Sequence, residues 1–567
     1  MSQIYLKKSN CRHCYACIKA CPVKSIKIDA GQAVILESDC ILCGQCLAAC
    51  PQNAKEIVSE LNKVKNMIAA GQPVIASLAP SYNGSFTCAE PGRLVSALKK
   101  LGFWGVAETA EGAISVTAAY REIINCGSRD VILSSCCPTV NDYIEKYYPD
   151  LAPCLAPVES PMIAHGQILK TKYGSQVKVV FIGPCLAKKE EAVDIRHDSQ
   201  IDAVLTFDDL DQWLRNEKIR PDERPPEPFL NSHPQILQLY PLTGGILGPL
   251  QALKPDVSCD YLSVDGLDAC RELFESLRKR ALHHCFIEIN ACKGGCLNGP
   301  AKVHDGPCRF AADQSIRRSA QDKPGYPPLP DHFDLKKVFL DRRVSDLQPD
   351  EQTIRDLLRK IGKETPDQEL NCGSCGYPSC RAKVTAVYQG KAELSMCMPY
   401  MKQRAESLAN YVLSESPDAA IIIDGEQNIV EFNAAAERLF GCRRGQILGK
   451  GLYELIDAAD FQRVLDDHQS ICDKKITYEE LGITTLQSII YLSEVKMVMG
   501  LFKDITRNQQ QRDHTYQLKV EAVEMAQNVI NKQMVAAQQI ASLLGETTAE
   551  TKVTLTRLKE ILIAGDD

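Results

Sequence analysis

The sequence predicts a multidomain protein: a central α/β domain between two small cysteine-rich modules, followed by an α+β domain and terminal helices. The chain has 567 residues, more than one domain usually contains. Between residues 72 and 345, short β-rich apolar runs alternate with helical stretches, as in buried parallel sheets. The 26 cysteines almost all precede residue 400. We therefore expect domains at 1–60, 61–345, 350–407, 408–506 and 507–567.

The charge balance argues against several classes of protein. With 65 basic and 72 acidic residues, the net charge is −7, which gives no general attraction to nucleic acid or anionic membranes. No apolar run approaches the roughly 18 residues of a membrane span, and the N-terminus lacks the apolar stretch of a signal peptide. We expect a cytoplasmic protein whose cysteines serve metal or redox chemistry rather than disulfides.

The N-terminal module carries the pattern C-x2-C-x2-C-x3-C-P twice, in CRHCYACIKACP (11–22) and CILCGQCLAACP (40–51). Three thiolates of one run hold one cubane and the fourth reaches the other cubane, so the pattern resembles bacterial-type ferredoxin. Paired zinc sites are the alternative. The predicted ligands are Cys11, Cys14, Cys17 and Cys50 for one [4Fe–4S] cluster and Cys40, Cys43, Cys46 and Cys21 for the second.

In the central domain, cysteines stand where predicted strands end, in VILSSCCP, VKVVFIGPCLA and CFIEINAC. Open α/β sheets place their sites at these strand ends. Four of the thiols suit a buried [4Fe–4S] cluster: Cys137, Cys185, Cys292 and Cys296.

At these residues the sequence resembles the catalytic domain of [FeFe] hydrogenases, over roughly residues 72–310. The resemblance implies a two-lobed α/β core in which the four cysteines bind the cubane of an H-cluster. It also implies that one of the last two cysteines bridges to a di-iron subsite with CO and cyanide ligands, which turns H2 into two protons and two electrons. We expect the bridge to be Cys296 rather than Cys292.

The same resemblance assigns the surrounding pocket. Cys136 matches a free thiol that passes protons, although a buried cysteine that only packs is the alternative. Lys188 matches a lysine that holds a cyanide ligand, with a solvated lysine at a helix start as the alternative. Another wall of the pocket matches at Ala79, Pro80 and Ser81.

Several positions depart from the family pattern. Gly183 and Asn290 replace methionines, and Val140 replaces a tryptophan. On the proton path, Ala156 replaces a serine, and only Glu122 stands near the usual acidic helix, in uncertain register. Glu191 is a carboxylate that does match and is a possible relay. Because relays need groups within hydrogen-bond reach, we expect slow proton delivery.

A third module follows a polar, proline-rich stretch at about 311–332, which indicates a surface linker. Its segments NCGSCGYPSC and AELSMCMPYM resemble the small, mainly helical [4Fe–4S] domain of electron-transfer subunits and corrinoid proteins. Zinc is the alternative metal. The predicted ligands are Cys372, Cys375, Cys380 and Cys397. The nine remaining cysteines, such as Cys88, Cys154 and Cys442, have no ligand spacing and are assigned to packing.

After residue 405 the sequence resembles a PAS domain, with two short strands around an Asp424–Gly425 turn and a helix start at Asn433. We expect no cofactor there. From residue 507 the chain is predicted to be helical, and a heptad series favours a coiled coil that makes a homodimer. A helix folded back on its own domain is the alternative. The series comprises Leu518, Ala522, Met525, Val529, Ala536 and Leu543.

Three functional hypotheses follow. The first is an H2 or redox sensor with slow reversible H2 oxidation, whose PAS domain and helices signal to a partner such as a kinase or phosphatase. The second is a ferredoxin-linked catalytic [FeFe] hydrogenase that uses the PAS domain only to dimerise. The third is an electron-transfer protein that holds only cubanes.

Overall fold

The computed structural model describes residues 3–563 except 30, 87–89, 198, 232–234, 304, 322–333, 345–346 and 545–548. The chain divides into two compact units, Met1–Tyr400 and Met401–Asp567. The first unit holds the cysteine-rich modules together with the α/β core. Within the described residues, no helix combines the length and apolar character needed to cross a bilayer.

The N-terminal module consists of two small antiparallel pairs and two short helices. Ile4–Leu6 pairs with Lys55–Ile57, and Ile26–Asp29 pairs with Gln32–Ile35. The helices, Ala16–Ala20 and Gln45–Ala48, each lie inside a cysteine run. This is the ferredoxin-like arrangement that the repeated motif predicts.

The α/β core contains two parallel sheets, which confirms the predicted two-lobed architecture. Strand Val74–Leu78 is buried along its whole length, as its almost entirely apolar sequence favours in a sheet covered on both faces. The four-stranded sheet has the order Gly105–Glu108, Val74–Leu78, Lys178–Gly183, Ala203–Thr206. The three-stranded sheet has the order Asp260–Asp265, Cys285–Asn290, Val131–Leu133.

Helices cover these sheets, and three of them begin at a proline, whose fixed φ suits the first helical turn. The core helices are Leu61–Ala69, Pro91–Lys100, Ala110–Cys126, Pro138–Tyr147, Pro161–Tyr173, Ala187–Val193, Phe207–Asn216, Leu247–Ala252, Leu267–Arg278 and Arg309–Gln321. The last one occupies the first part of the expected linker, and residues 322–333 of that linker lie outside the described residues.

The third module is mainly helical, with helices Glu351–Arg359, Cys380–Tyr388 and Met398–Glu415. The side chain of Asp350 caps the first helix by accepting from the backbone N–H of Thr353, and Ser379 caps the second in the same way through Ala382. These caps fix the helix starts between which the cysteine loop lies.

The second unit begins with a five-stranded antiparallel sheet of the predicted α+β type. The expected turn at Asp424 joins its first two strands, and Asn433 caps the helix that follows. The sheet order is Ile429–Phe432, Ala419–Ile423, Met497–Asp504, Ile483–Leu492, Ile471–Tyr478. The helices are Ala434–Phe440, Arg444–Ile447, Ala459–Asp467, Thr506–Leu544 and Ala549–Ile563.

Candidate metal centre

The three cysteine segments of the core meet around one cavity of about 120 Å³. Cys137 stands immediately before helix Pro138–Tyr147, and Cys185 lies between strand Lys178–Gly183 and helix Ala187–Val193. The other two thiols follow strand Cys285–Asn290. All four predicted ligands line this cavity: Cys137, Cys185, Cys292 and Cys296.

The chemistry of these thiols fits a metal cluster. Burial and, to a smaller extent, the neighbouring Cys137 raise the pKa of Cys185 to about 11. Burial also raises the pKa of Cys292, to which the proximity of Cys185 and Cys296 adds. Ionised thiols so close together would repel one another, whereas an iron–sulfur cubane binds four thiolates at once. The donor set therefore fits a [4Fe–4S] cluster.

Lys188 lines the same cavity and is 9% exposed, so it is not a solvated lysine. Its Nζ donates to Glu191 Oε2 at 2.6 Å and to the carbonyl oxygen of Cys136 at 3.4 Å. Glu191 also accepts from Lys337 Nζ at 3.0 Å and from Ser160 Oγ at 3.0 Å. Burial alone would raise the pKa of Glu191, but the two ammonium groups hold it far below its usual range. The carboxylate of Glu191, expected to be a possible proton relay, thus hydrogen-bonds to two ammonium groups and one hydroxyl.

Cys136 faces the cavity, and its Sγ lies 3.1 Å from the hydroxyl oxygen of Tyr120. Burial raises the pKa of the Cys136 thiol to about 12, so the group stays protonated. The hydrogen-bonded chain that leads from Cys136 through Tyr120 is short. The hydroxyl of Tyr120 lies 3.1 Å from Ser135 Oγ, and the Ser135 hydroxyl donates to the carbonyl oxygen of Val158. Because a backbone carbonyl carries no exchangeable proton, the chain ends there.

The surroundings of Tyr120 are apolar. Ala156, which stands at the family's serine position, is fully buried in a cluster with Val158 and Phe286. Glu122, on helix Ala110–Cys126, is exposed to solvent. Neither position supplies a proton carrier behind Cys136.

Glu288 is a residue that the sequence reasoning missed. Its carboxylate accepts from the backbone N–H groups of Gly244 at 2.9 Å and Ile246 at 2.8 Å, and from the amide of Asn290 at 3.1 Å. Burial raises the pKa of Glu288 to about 7 despite these donors, and its charge contributes to the raised pKa of Cys136. A single acid inside the apolar run CFIEIN was the available signal.

The opposite wall consists of Ala79, Pro80 and Ser81, as expected, where strand Val74–Leu78 ends. The glycine in place of a family methionine also has a local explanation. A Cβ at Gly183 would lie 2.8 Å from the ring of Phe181 and 3.2 Å from the Cβ of Ala79. Phe181 lines the cavity, so an aromatic ring fills the space beside the missing side chain.

The structure also brings together the cysteines of each smaller module. Cys11, Cys14, Cys17 and Cys50 line one small cavity, and Cys372, Cys375, Cys380 and Cys397 line another. In the second ferredoxin set, burial raises the pKa of Cys43, and its neighbours Cys21, Cys46 and Cys40 raise it further. Cys43 additionally lines the core cavity. Cys88, assigned to packing, lies outside the described residues.

Family models match each part of the chain. Residues 72–300 match the model described as iron only hydrogenase large subunit, C-terminal domain, and residues 3–65 match the 4Fe-4S dicluster domain. An Fe–S cluster model matches residues 368–399, and the PAS fold matches residues 410–505. The chain is therefore a hydrogenase-like iron–sulfur protein with a PAS domain.

Among curated proteins, the chain is similar to iron hydrogenase 1 of Clostridium pasteurianum, 27% identical over 44% of this chain and 53% of that protein. The periplasmic [Fe] hydrogenase large subunit of Nitratidesulfovibrio vulgaris is 28% identical over 42% of this chain and 68% of its own. The cytosolic Fe-S cluster assembly factor narfl of Danio rerio is 24% identical over 56% of this chain and 90% of that protein. The match thus spans about half the length of the first of these relatives.

Solved structures with similar parts include the [FeFe]-hydrogenase HydA1 of Chlamydomonas reinhardtii. It is 17% identical, with a TM-score of 0.40, over 51% of this chain and 100% of that chain. The PAS domain of nitrogen regulation protein NR(II) from Vibrio parahaemolyticus is 25% identical, with a TM-score of 0.15, over 17% of this chain and 98% of that chain.

Proposed function

We propose that this protein is an [FeFe]-hydrogenase-like sensor of H2 or redox state with slow reversible H2 oxidation. The observation that carries the proposal is one cavity that combines four ligand thiols, a fixed ammonium and a free thiol. A bound H-cluster would supply the iron chemistry that interconverts H2 with two protons and two electrons. Its cubane would be held by Cys137, Cys185, Cys292 and Cys296, with Cys296 as the bridge to the di-iron subsite.

Lys188 would fix the orientation of the di-iron subsite by donating hydrogen bonds to an anionic ligand. The ammonium is held in place by Glu191, and its charge persists because a buried carboxylate lies 2.6 Å away. Ser81 would add a hydroxyl donor from the facing wall, next to Ala79 and Pro80. The lining is otherwise largely apolar, which excludes water and strengthens these interactions.

Cys136 would hold a proton on Sγ beside the reacting metal. Because the route through Tyr120 ends at a backbone carbonyl, the proton has no efficient exit in that direction. Glu288 is the nearby acid whose pKa of about 7 suits proton exchange. A relay whose first step is present and whose onward path is altered supports slow turnover, which suits a sensor better than a metabolic enzyme.

Signalling would proceed through the second unit to a partner such as a kinase or phosphatase, with homodimerisation through helix Thr506–Leu544. Leu518, Met525 and Val529 of that helix are 52%, 64% and 55% exposed, an apolar series that a second helix would cover. An electron carrier such as ferredoxin would meet the N-terminal module, where Cys14 is exposed. The many free thiols favour a reducing cytoplasm.

The test is infrared spectroscopy of the full chain after maturation, together with its H2 oxidation rate and hydrogen–deuterium exchange of the second unit under H2 and under argon. We expect CO and cyanide bands, slow turnover, and H2-dependent exchange within 401–563. The matched control is Cys185→Ala, which should abolish both the bands and the H2 dependence.

The same experiment distinguishes two other functions from the proposed one. Fast turnover with unchanged exchange in the second unit would favour a catalytic, ferredoxin-linked hydrogenase. Absence of CO and cyanide bands after maturation, with all cubanes bound, would favour a non-catalytic electron-transfer protein. We include this outcome because a relative that matches 56% of this chain is named for Fe–S cluster assembly rather than for H2 chemistry.

A further inference from the structure

The cysteine loop of the small domain packs directly on the ferredoxin module. Gly376 follows the predicted ligand Cys375 and has a φ of +89°. A Cβ at this glycine would lie 2.9 Å from Ile18 Cγ2 and 3.1 Å from the backbone nitrogen of Lys19. Ile18 and Lys19 stand just before Cys21, a predicted ligand of the second ferredoxin cluster. Only glycine permits two cluster loops to approach this closely.

One partly buried ammonium hydrogen-bonds to both loops. Lys24 Nζ donates to the carbonyl oxygens of Ile18 at 2.8 Å, Lys19 at 3.1 Å and Gly376 at 2.9 Å. Its positive charge faces the thiols of both Cys21 and Cys375, although burial lowers its pKa. A charge placed between two cluster sites acts on the reduction potential of both.

An ion pair holds the same interface. Lys391 Nζ, from the small domain, lies 2.7 Å from a carboxylate oxygen of Asp39, the residue before the ligand Cys40. Tyr377 is 3% exposed and belongs to the same buried cluster as Ile18 and Cys21. The contact is therefore a packed, polar-linked interface between two cluster loops.

The second ferredoxin site also faces the core and the first ferredoxin site. Cys43 lines the core cavity together with Cys292, and a Cβ at Gly44 would lie 2.3 Å from Pro300 Cβ. Helix Gln45–Ala48, which carries Cys46, packs against helix Ala16–Ala20, which carries Cys17 of the first set. The thiols of the second set thus point toward three other cluster sites.

We propose that the second ferredoxin site is a three-way electron junction, and that residues 18–24 and 375–377 connect it directly to the small-domain site. Each step moves one electron: one cubane is oxidised as its neighbour is reduced, without proton transfer or bond cleavage. The small-domain site is then a direct branch from the core rather than a relay beyond the first cluster. This inference rests on the proposed cluster ligands and is independent of H2 chemistry.

The branch ends beside the signalling tail. Cys397, the last ligand of the small domain, immediately precedes helix Met398–Glu415, which leads along the chain to the first PAS strand at Ala419. The redox state of the small-domain site would follow that of the core, at a ligand that lies four residues before the second unit begins.

The experiment is electron paramagnetic resonance of the reduced, cluster-loaded full chain, with iron counted in each variant. We expect spin–spin broadening between the small-domain and second ferredoxin signals. Cys375→Ala should remove the first signal and narrow the second, whereas Cys14→Ala, which disrupts the first cluster, should leave this coupling intact. An unchanged ferredoxin spectrum in Cys375→Ala would overturn the proposal, as would loss of the coupling in Cys14→Ala.

Two further variants test the contact itself. Gly376→Ala should retain iron but weaken the coupling. Gly373→Ala is the matched control in the same loop, since it also has positive φ (+68°) but meets only the carbonyl oxygen of Tyr377, at 3.7 Å. Lys24→Met should shift the reduction potentials of the small-domain site and the second ferredoxin site to more negative values. Unchanged potentials in this variant would count against the junction. So would a spin–spin coupling in Gly376→Ala equal to that of the wild type. None of these variants touches the core ligands, so the infrared bands report separately on the proposed H2 site.

Discussion

The ammonium of Lys188 lies 2.6 Å from a carboxylate oxygen of Glu191, one turn later on helix Ala187–Val193. Lys337, distant in sequence, lies 3.0 Å from the other oxygen of that carboxylate. The group that the sequence identifies as a possible proton relay is therefore held between two cations. Its role in the proposed site is to fix Lys188.

Substituting Glu191→Gln should destabilise the first unit by about 3–5 kcal/mol near pH 7, because two buried ammonium groups lose their counter-charge. Since the folded pKa of Glu191 is depressed, its stabilisation is present above the unfolded pKa and is lost as pH falls toward the folded value. The gap in melting temperature between wild type and variant should thus narrow below about pH 4. Glu190→Gln, whose side chain is 44% exposed, is the control and should shift melting little. An equal shift in both variants would contradict the assignment.

Substituting Cys136→Ala should leave all iron bound while lowering H2 turnover by about 10–100-fold, because the substitution removes the proposed proton carrier of the core site. Iron analysis and an H2 oxidation assay measure the two effects separately. Cys285→Ala is a suitable control, since Cys285 is buried but belongs to none of the four ligand sets. If Cys136→Ala lost the core cluster, the roles of Cys136 and Cys137 would have to be exchanged.

Substituting Glu288→Gln tests the buried acid beside the cavity. Its folded pKa of about 7 is raised, so the stability it contributes is present below the unfolded pKa and is lost as pH rises through 7. The variant should therefore gain stability relative to wild type between pH 5 and 8, by roughly 2–4 kcal/mol. Turnover should fall by about 10-fold if Glu288 supplies protons to Cys136. Glu272→Gln, on an exposed face of helix Leu267–Arg278, should change neither property.

Substituting both Met525→Glu and Val529→Glu should convert a dimer into a monomer, because charges on an apolar helical seam oppose association. Light scattering coupled to size-exclusion chromatography measures the mass directly. Gln527→Glu introduces the same side chain on the opposite face and should leave the dimer intact. A wild-type monomer at micromolar concentration would exclude dimerisation through this helix.

Much of the fold follows from local sequence. Continuous apolar runs predict the buried parallel strands, and the PAS strands are predicted around the turn at Asp424, because period and turn chemistry act over a few residues. The expected linker around 311–332 was partly wrong, because Arg309–Gln321 is helical. Leu242, Leu297, Ala312 and Ile316 form one buried cluster, so packing against the core stabilises this polar-looking helix.

The sequence by itself determined the cysteine pattern of the two small cluster modules, because the ligand spacing of an iron–sulfur loop is a local property of the chain. The four core ligands, Cys136 and Lys188 stand in separate short motifs, which the resemblance to [FeFe] hydrogenases assigns to one predicted centre. Only the tertiary structure decided what those groups contact. It places Lys337 beside Glu191 and the Tyr120 hydroxyl beside Cys136. It also buries Glu288 next to Asn290 and packs Gly376 against Ile18. Such pairs join segments far apart in the chain, and burial sets their charges, so no local spacing encodes them.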